Sequence, residues 1–193
     1  MVSEALLLDH EGPWSEAEYL ALPEDRRRIE LLDGGLLVSP SPGSSHQWLS
    51  SQFWLAVARA VPDDLQVLEA VNVRVAPGKI LIPDLAVVSK PGADLVVWDA
   101  VDVVMAIEIV SRGSVAMDRA VKPRLYAAAG IRYYLRIELG SPGPSARQYR
   151  LTGDRYREIV HAGPQERLRL TEPFALDVDL AALAAATRPL RTE

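Results

Sequence analysis

The sequence predicts an α/β (α+β) fold: one mixed central β-sheet with helices packed on it. Three observations predict it. Ile80 to Val88 and Val101 to Val110 are apolar on both faces, as in strands buried in the middle of a sheet. Stretches of helical period stand before and after them, at Ser44 to Ala60 and Val115 to Ala129. Two further stretches have the form of hairpins, strand pairs folded about Asp33-Gly34-Gly35 and Thr152-Gly153-Asp154. A length of 193 residues suits a single domain over 1–193, its core at about 15–140 and a hairpin and closing helix in 141–193.

Each element follows from its residues. Ser15-Glu16-Ala17-Glu18 has the form of a capping box, which predicts a short helix to about Leu22. Arg28 to Leu32 and Leu36 to Ser39 flank the first hairpin turn. Ser44 or Ser45 caps a second helix, on which Trp48, Leu49, Phe53, Leu55, Ala56 and Ala60 cover most of the circumference, so that helix is expected to pack on several sides. Leu65 to Val75 alternates as one strand, and Pro77-Gly78 turns the chain. The helix of Val115 to Ala129 stops at Gly130. Ile131 to Ile137 is a strand, Arg147 to Leu151 and Tyr156 to Val160 form the second hairpin, and Asp179 to Ala186 is a short closing helix.

Composition excludes several functions. There is no cysteine, which removes disulfides, thiolate zinc sites and cysteine nucleophiles and suits a reducing cytoplasm. The first residues carry Glu4, Asp9 and Glu11 and do not read as a signal peptide. No apolar stretch reaches the ~18 residues of a membrane helix, so no membrane partner is expected. The net charge of −5 excludes a protein that coats nucleic acid with its whole surface. It leaves room for a local basic patch, and Arg112 to Arg136 holds six cations against Asp118 alone.

The sequence has no Gly-x-Gly-x-x-Gly, no phosphate loop and no Gly-x-Ser-x-Gly elbow, and His10, His46 and His161 lack metal-ligand spacing. The conspicuous residues are carboxylates among aliphatic neighbours. Asp84 lies between Pro83 and Leu85-Ala86-Val87-Val88, and Glu108 follows Val103-Val104-Met105-Ala106-Ile107. An ionised carboxylate in such a strand costs several kcal/mol unless something compensates it. For either residue alone that compensation is a structural ion pair. Two of them projecting the same way from neighbouring strands form a hard, oxygen-rich site suited to Mg²⁺ or Mn²⁺. Glu30, flanked by Ile29, Leu31 and Leu32, is a third candidate, or else an edge-strand glutamate facing water.

Pro83-Asp84, a hydrophobic strand, and a second hydrophobic strand carrying Glu108 resemble the PD-(D/E)xK phosphodiesterases. Within them the chain is similar to the Uma family of restriction endonucleases. The resemblance is carried by Glu30-Leu31-Leu32-Asp33-Gly34, by Ser39-Pro40-Ser41-Pro42 with His46-Gln47, and by Pro83-Asp84-Leu85-Ala86-Val87-Val88. It continues through Glu108-Ile109-Val110-Ser111 and Asp118-Arg119, then from Lys122 to Leu125-Tyr126-Ala127-Ala128-Ala129-Gly130-Ile131, with Tyr133-Tyr134-Leu135 after it. It spans about Tyr19 to Ile137.

The resemblance implies a restriction-endonuclease-like fold and metal-dependent hydrolysis of phosphodiester bonds in DNA. Asp84 and Glu108 would hold Mg²⁺ (or Mn²⁺), with the Ile109 carbonyl as a further ligand. Glu30 would ligate the ion or orient its water, and Lys122 would stabilise the transition state. The superfamily lysine two residues after the second acid is Val110 here; the Uma-like pattern puts the lysine on the following helix, at Lys122. Pro123 disfavours helical geometry at Lys122 and predicts a kink or a fresh helix start. Arg112 replaces the family's proline and adds positive charge that could hold phosphate or pair with Glu108. Arg112, Arg119 and His46 are the expected substrate contacts, although His46 also reads as a hydrogen-bonded neighbour of a helix cap.

Other residues have simpler expectations. Arg26-Arg27-Arg28 reads as a solvated edge, Ser111 as a turn residue, Asp118 as an ion-pair partner of Lys122, and Trp14, Trp48, Trp54 and Trp98 as core or interface. Two rival functions remain. One is a catalytically degenerate nucleic-acid- or protein-binding module on the same fold, favoured by Val110, Pro123 and the acidic charge. The other is a metal-free hydrolase using Glu30 and Glu108 as an acid–base pair. The expected partners are nucleic acid, DNA before RNA, and a second copy of the chain in a homodimer.

Overall fold

A computed structural model describes residues 10–23, 28–39, 41–111 and 113–186. Residues 1–9, Arg26, Arg27, Pro40 and Arg112 lie outside the described residues. Helix α1 (Glu16–Leu20) begins at the expected capping box, with Ser15 Oγ accepting from Glu18 N and Glu18 accepting from Ser15 N; Ala21 caps its other end, so it stops short of Leu22. Strands β1 (Arg28–Leu32) and β2 (Gly35–Ser39) form the first hairpin. Its two turn residues, Asp33 and Gly34, have φ of +50° and +81°, which matches the twist of the strands they join. Only glycine fits the second position, because an added Cβ would stand 2.5 Å from Pro13 Cβ.

Two runs that read as single strands are each divided between two sheets. Leu65 to Val75 becomes β3 (Gln66–Glu69) and β4 (Asn72–Ala76), broken at Ala70 with φ +49°. Ile80 to Val88 becomes β5 (Lys79–Leu81) and β6 (Leu85–Val88), broken at Ile82-Pro83-Asp84. Pro83 has no N–H to extend a ladder, which explains the second break. The two crossing points touch, with Ala70 N donating to the Asp84 carbonyl at 3.1 Å. Asp84 therefore sits where the chain passes from one sheet to the other.

Strands β7 (Val97–Asp99), β8 (Val103–Val110), β9 (Tyr133–Glu138), β10 (Ser145–Thr152) and β11 (Arg155–Ala162) complete the two sheets. The smaller has five strands in the order β2-β1-β5-β4-β7. The larger has six, in the order β11-β10-β9-β8-β6-β3, and is mixed: β8 and β9 run parallel and the other pairs antiparallel. Strands β12 (Arg167–Leu170) and β13 (Leu176–Asp179) form a separate ribbon. The mixed central sheet is thus accompanied by a second sheet and a ribbon.

Both faces of the larger sheet are covered, which is why its strands read as continuously apolar. One face, with Leu85, Val87, Met105, Ile107 and Ile109, packs on Leu49, Phe53 and Val57 and on Leu168 and Leu176 of the ribbon. The opposite face, with Ala86, Val88, Ala106 and Tyr134, packs on Val73 and Leu81 of the smaller sheet and on Tyr126.

Helix α2 (Ser44–Ala58) starts at Gly43 without a side-chain cap, so neither Ser44 nor Ser45 plays that part. Its buried stripe is His46, Leu49, Phe53 and Val57, while Trp48 and Leu55 face solvent, so it packs on one side only. Of the other tryptophans, Trp98 is in the core and Trp54 is half-buried. A π-helical turn (Met117–Val121) leads into α3 (Lys122–Ala128), which ends before Gly130 at φ +80°. Lys122 keeps helical dihedrals, φ −56° and ψ −45°, despite Pro123. The wider turn before it and the proline's place in the first turn of α3, where a missing N–H is no loss, accommodate it. Helix α4 (Leu180–Ala186) closes the described chain.

Candidate active site

Strand register brings the two conspicuous acids together. Leu85 pairs with Ile107 across β6 and β8, and the same register continued by one residue sets Asp84 opposite Glu108. Both project to the face that packs on the smaller sheet and α3, since they share the parity of Ala86 and Ala106. They line a cavity of about 240 Å³ with Glu30, His46, Asp118 and Lys122. The β1–β2 hairpin, the first turn of α2, the end of β8 and the π-helical turn wall it.

Lys122 is the hub. Its Nζ stands 3.0 Å from both Glu108 Oε1 and Glu30 Oε1, 4.0 Å from Asp118 Oδ1, and donates to the Ile82 carbonyl at 3.3 Å. The side chain is almost completely buried. Burial alone would lower its pKa, but the charges of Glu108, Glu30 and Asp118 outweigh that and hold it above the ordinary lysine value. Tyr126, one turn further along α3, donates to Glu108 Oε1 at 2.7 Å. Glu30 Oε1 also accepts from Ile82 N at 2.7 Å, so the hairpin is tied to the chain crossing beside Asp84.

Asp84 is held differently. Its Oδ1 accepts from Arg28 at 2.6 Å, and its Oδ2 accepts from Ile109 N at 2.7 Å and stands 3.3 Å from His46 Nε2. Burial opposes its ionisation, but His46, Arg28 and Ile109 N overcome it and hold the carboxyl well below the usual range. At Glu108 the partners do not offset burial. Burial pushes it up to about 8 against the pull of Lys122, and Asp84, Asp118 and Glu30 add to the rise. Asp118 is raised by burial as well.

The charges do not balance. Among the described residues, four buried or nearly buried acids, Glu30, Asp84, Glu108 and Asp118, meet two permanent cations, Arg28 and Lys122. Fully ionised, the cluster carries an excess of two negative charges, the charge of one divalent cation, and the donors are the hard oxygens that Mg²⁺ or Mn²⁺ prefers. The residues present fit such an ion in chemistry. Among the described residues no three His, Cys, Asp or Glu side chains converge as a ready-made metal cage. A magnesium site does not require one, since that ion keeps several waters.

Glu30, His46, Asp84, Glu108 and Lys122 all line this cavity, as does Ile109. Arg119 does not; it pairs with Glu138 and lines a different cavity. Arg112 lies outside the described residues. Asp118 pairs with Lys122 as expected, and Ser111 is in a turn with Ser114, 3.1 Å between hydroxyls. Arg28 corrects the reading of a solvated edge: it is the partner of Asp84. Tyr126 was not singled out, although its place four residues after Lys122 signals a shared helix face.

A mixed sheet flanked by helices, with acids and a lysine converging where the chain crosses between the two sheets, is a nuclease-like arrangement. The chain belongs to the Uma2 family, whose description is "Putative restriction endonuclease" and whose model matches residues 16–184. A crystal structure of a putative nuclease belonging to DUF820, from Anabaena variabilis ATCC 29413, is similar with a TM-score of 0.69 and 17% identity. The likeness covers 91% of this chain and 100% of that one. No curated protein matches the chain.

Proposed function

We propose that this protein is a metal-dependent endonuclease that hydrolyses phosphodiester bonds in DNA. The observation that carries the reading is the convergence of Asp84, Glu108, Glu30 and Lys122 in one cleft where, among the described residues, acids exceed cations by two. Asp84 and Glu108, with the Ile109 carbonyl, would hold Mg²⁺ or Mn²⁺. The carbonyl qualifies because N–H and C=O of one strand residue point to the same side, and Ile109 N donates to Asp84. Bound there, such an ion would supply Lewis acidity and a water of lowered pKa.

The chain's own residues do the remaining work. Arg28 and His46 fix the Asp84 carboxylate in its ionised form, and Tyr126 fixes Glu108. Glu30 holds Lys122 at the cleft, and the ammonium offsets charge that develops on the phosphoryl oxygens. The fold works as one restriction-endonuclease-like domain in a homodimer, since a single small subunit offers little surface to duplex DNA.

The test is cleavage of supercoiled plasmid with Mg²⁺ or Mn²⁺. Wild type is expected to nick or linearise it, EDTA to stop the reaction, and Asp84→Asn and Glu108→Gln to slow it roughly 100-fold or more. Cleavage that survives EDTA, or that both variants retain, refutes the proposal.

A second reading rests on the Arg28–Asp84 pair, which already neutralises one of the two acids. On it the chain is a catalytically degenerate nucleic-acid-binding module. It predicts salt-dependent DNA binding without cleavage under Mn²⁺.

A further inference from the structure

Helix α3 has a second occupied side. Lys122 and Tyr126 face the acidic cleft, while Arg119, Pro123, Arg124 and Ala127 line a separate cavity of about 710 Å³ between the helix and the outer strands of the larger sheet. No residue lines both cavities. The volume is that of a small-molecule site.

The lining combines two chemistries. Arg119, Arg124, Arg136 and Arg155 supply four guanidinium groups. Against them stand Asp154, and Glu138, which pairs with Arg119 and, at 3.0 Å, with Arg136. This leaves a local excess of positive charge on a chain whose net charge is −5. Arg136 is held over the Tyr149 ring at 5.5 Å, and its Nε is the atom that faces Glu138 Oε1.

Tyr134, Tyr149 and Tyr156 supply the second chemistry. The rings of Tyr134 and Tyr149 stack with centroids 5.8 Å apart, and that of Tyr156 lies 5.7 Å from Tyr134. The Tyr134 hydroxyl donates to the Asp118 carbonyl at 2.6 Å and the Tyr156 hydroxyl to the Ile131 carbonyl at 2.7 Å. Two of the three hydroxyls are thus engaged inside the protein; Tyr134 is buried and backs the others, and the partly exposed rings of Tyr149 and Tyr156 offer a ligand aromatic surface. Guanidinium forks match phosphate oxygens, and aromatic surface takes a planar base. An acidic peptide would use the first chemistry and leave the second idle.

We propose that this cavity binds a nucleotidyl group, its phosphate among the arginines and its base against the tyrosines. The group could be supplied by a free nucleotide or by a unit of a single nucleic-acid strand. The site is independent of the nuclease reading, because it shares no lining residue with the acidic cleft.

The experiment measures binding in EDTA by calorimetry with AMP and with pyrophosphate, and by fluorescence anisotropy with a labelled oligothymidylate. Arg124 and Arg155 are exposed, so Arg124→Ala and Arg155→Ala should fold as wild type does. Each is expected to weaken binding about tenfold, the loss of a charge-assisted contact. Tyr149→Leu should weaken AMP more than pyrophosphate, which has no base to stack. Asp84→Asn, in the other cleft, should bind as wild type does even where it fails to cleave. Binding of AMP identifies a free nucleotide as the source, and binding of the oligonucleotide alone identifies a strand. No binding of either at millimolar AMP and micromolar oligonucleotide overturns the proposal, as does binding that both arginine variants leave unchanged.

Discussion

Lys122→Met tests the electrostatic core of the site. The substitution keeps most of the length of the side chain and removes its charge and donors. It leaves Glu30 and Glu108, each 3.0 Å from Nζ, and Asp118, at 4.0 Å, without their shared cation in a nearly water-free pocket. Removing one partner of a buried pair costs about 3–5 kcal/mol. The carboxylates can relieve part of that by taking up protons, so the cost depends on pH. Glu108 and Asp118 are already raised above their unfolded values, and losing the cation raises them further; the folded state binds more protons, and stability falls as pH rises through that window. Lys122 itself is charged in both states over pH 5–8 and adds no slope there. The loss should therefore approach about 3–5 kcal/mol at pH 8 and shrink by a few kcal/mol towards pH 5. At about 2–4 °C per kcal/mol for a chain of this size, Tm at pH 8 should fall by about 6–20 °C. Urea unfolding of metal-free protein at both pH values, together with the Lys122→Met/Glu108→Gln double variant, measures it. The double variant should recover part of the loss, since one orphaned charge is gone. A loss below about 1 kcal/mol that is equal at pH 5 and pH 8 would refute the reasoning.

Other outcomes follow from the same geometry. Burial raises Glu108 above the ordinary carboxylate range, so the folded metal-free protein takes up its proton at higher pH than the unfolded chain; its contribution to stability is complete below about pH 4.5 and fades as pH rises towards about 8, and Glu108→Gln should flatten that slope in thermal melts. Tyr126→Phe removes the donor 2.7 Å from Glu108 Oε1 and should cost about 1–3 kcal/mol in chemical denaturation without displacing α3. Gly34→Ala should lower stability by about 1–3 kcal/mol, because a side chain at φ +81° is strained and its Cβ would overlap Pro13; an unchanged melting temperature would contradict the turn geometry.

Much of this arrangement is legible in the sequence, for one physical reason. Asp84 and Glu108 stand out because carboxylates are costly in strands that otherwise bury only aliphatic side chains, and the structure sets them opposite each other on one face. The capping box at Ser15, the turn at Asp33-Gly34 and the stop at Gly130 are local signals, and the folded chain follows them. The divided strands were not legible. Leu65 to Val75 alternates without a break, and only the left-handed conformation of Ala70, a residue that gives no warning of it, sends its halves into different sheets. Pro83 does warn of the second break, but a strand apolar on both faces reads the same whether its covering layer is a helix or another sheet. Arg28 escaped for a related reason. Its pairing with Asp84 spans 56 residues and depends on which sheets meet, whereas Tyr126 and Asp118 lie within one turn of Lys122 on either side.

The central claim is that, among the described residues, the acids around Lys122 exceed their cations by the charge of one divalent ion. Titration of the protein with Mn²⁺, followed by calorimetry and by electron paramagnetic resonance of the bound ion, tests it directly. One Mn²⁺ should bind per chain in wild type, and Asp84→Asn and Glu108→Gln should each weaken it about tenfold or more. No binding by wild type, or equal binding by all three proteins, would contradict it.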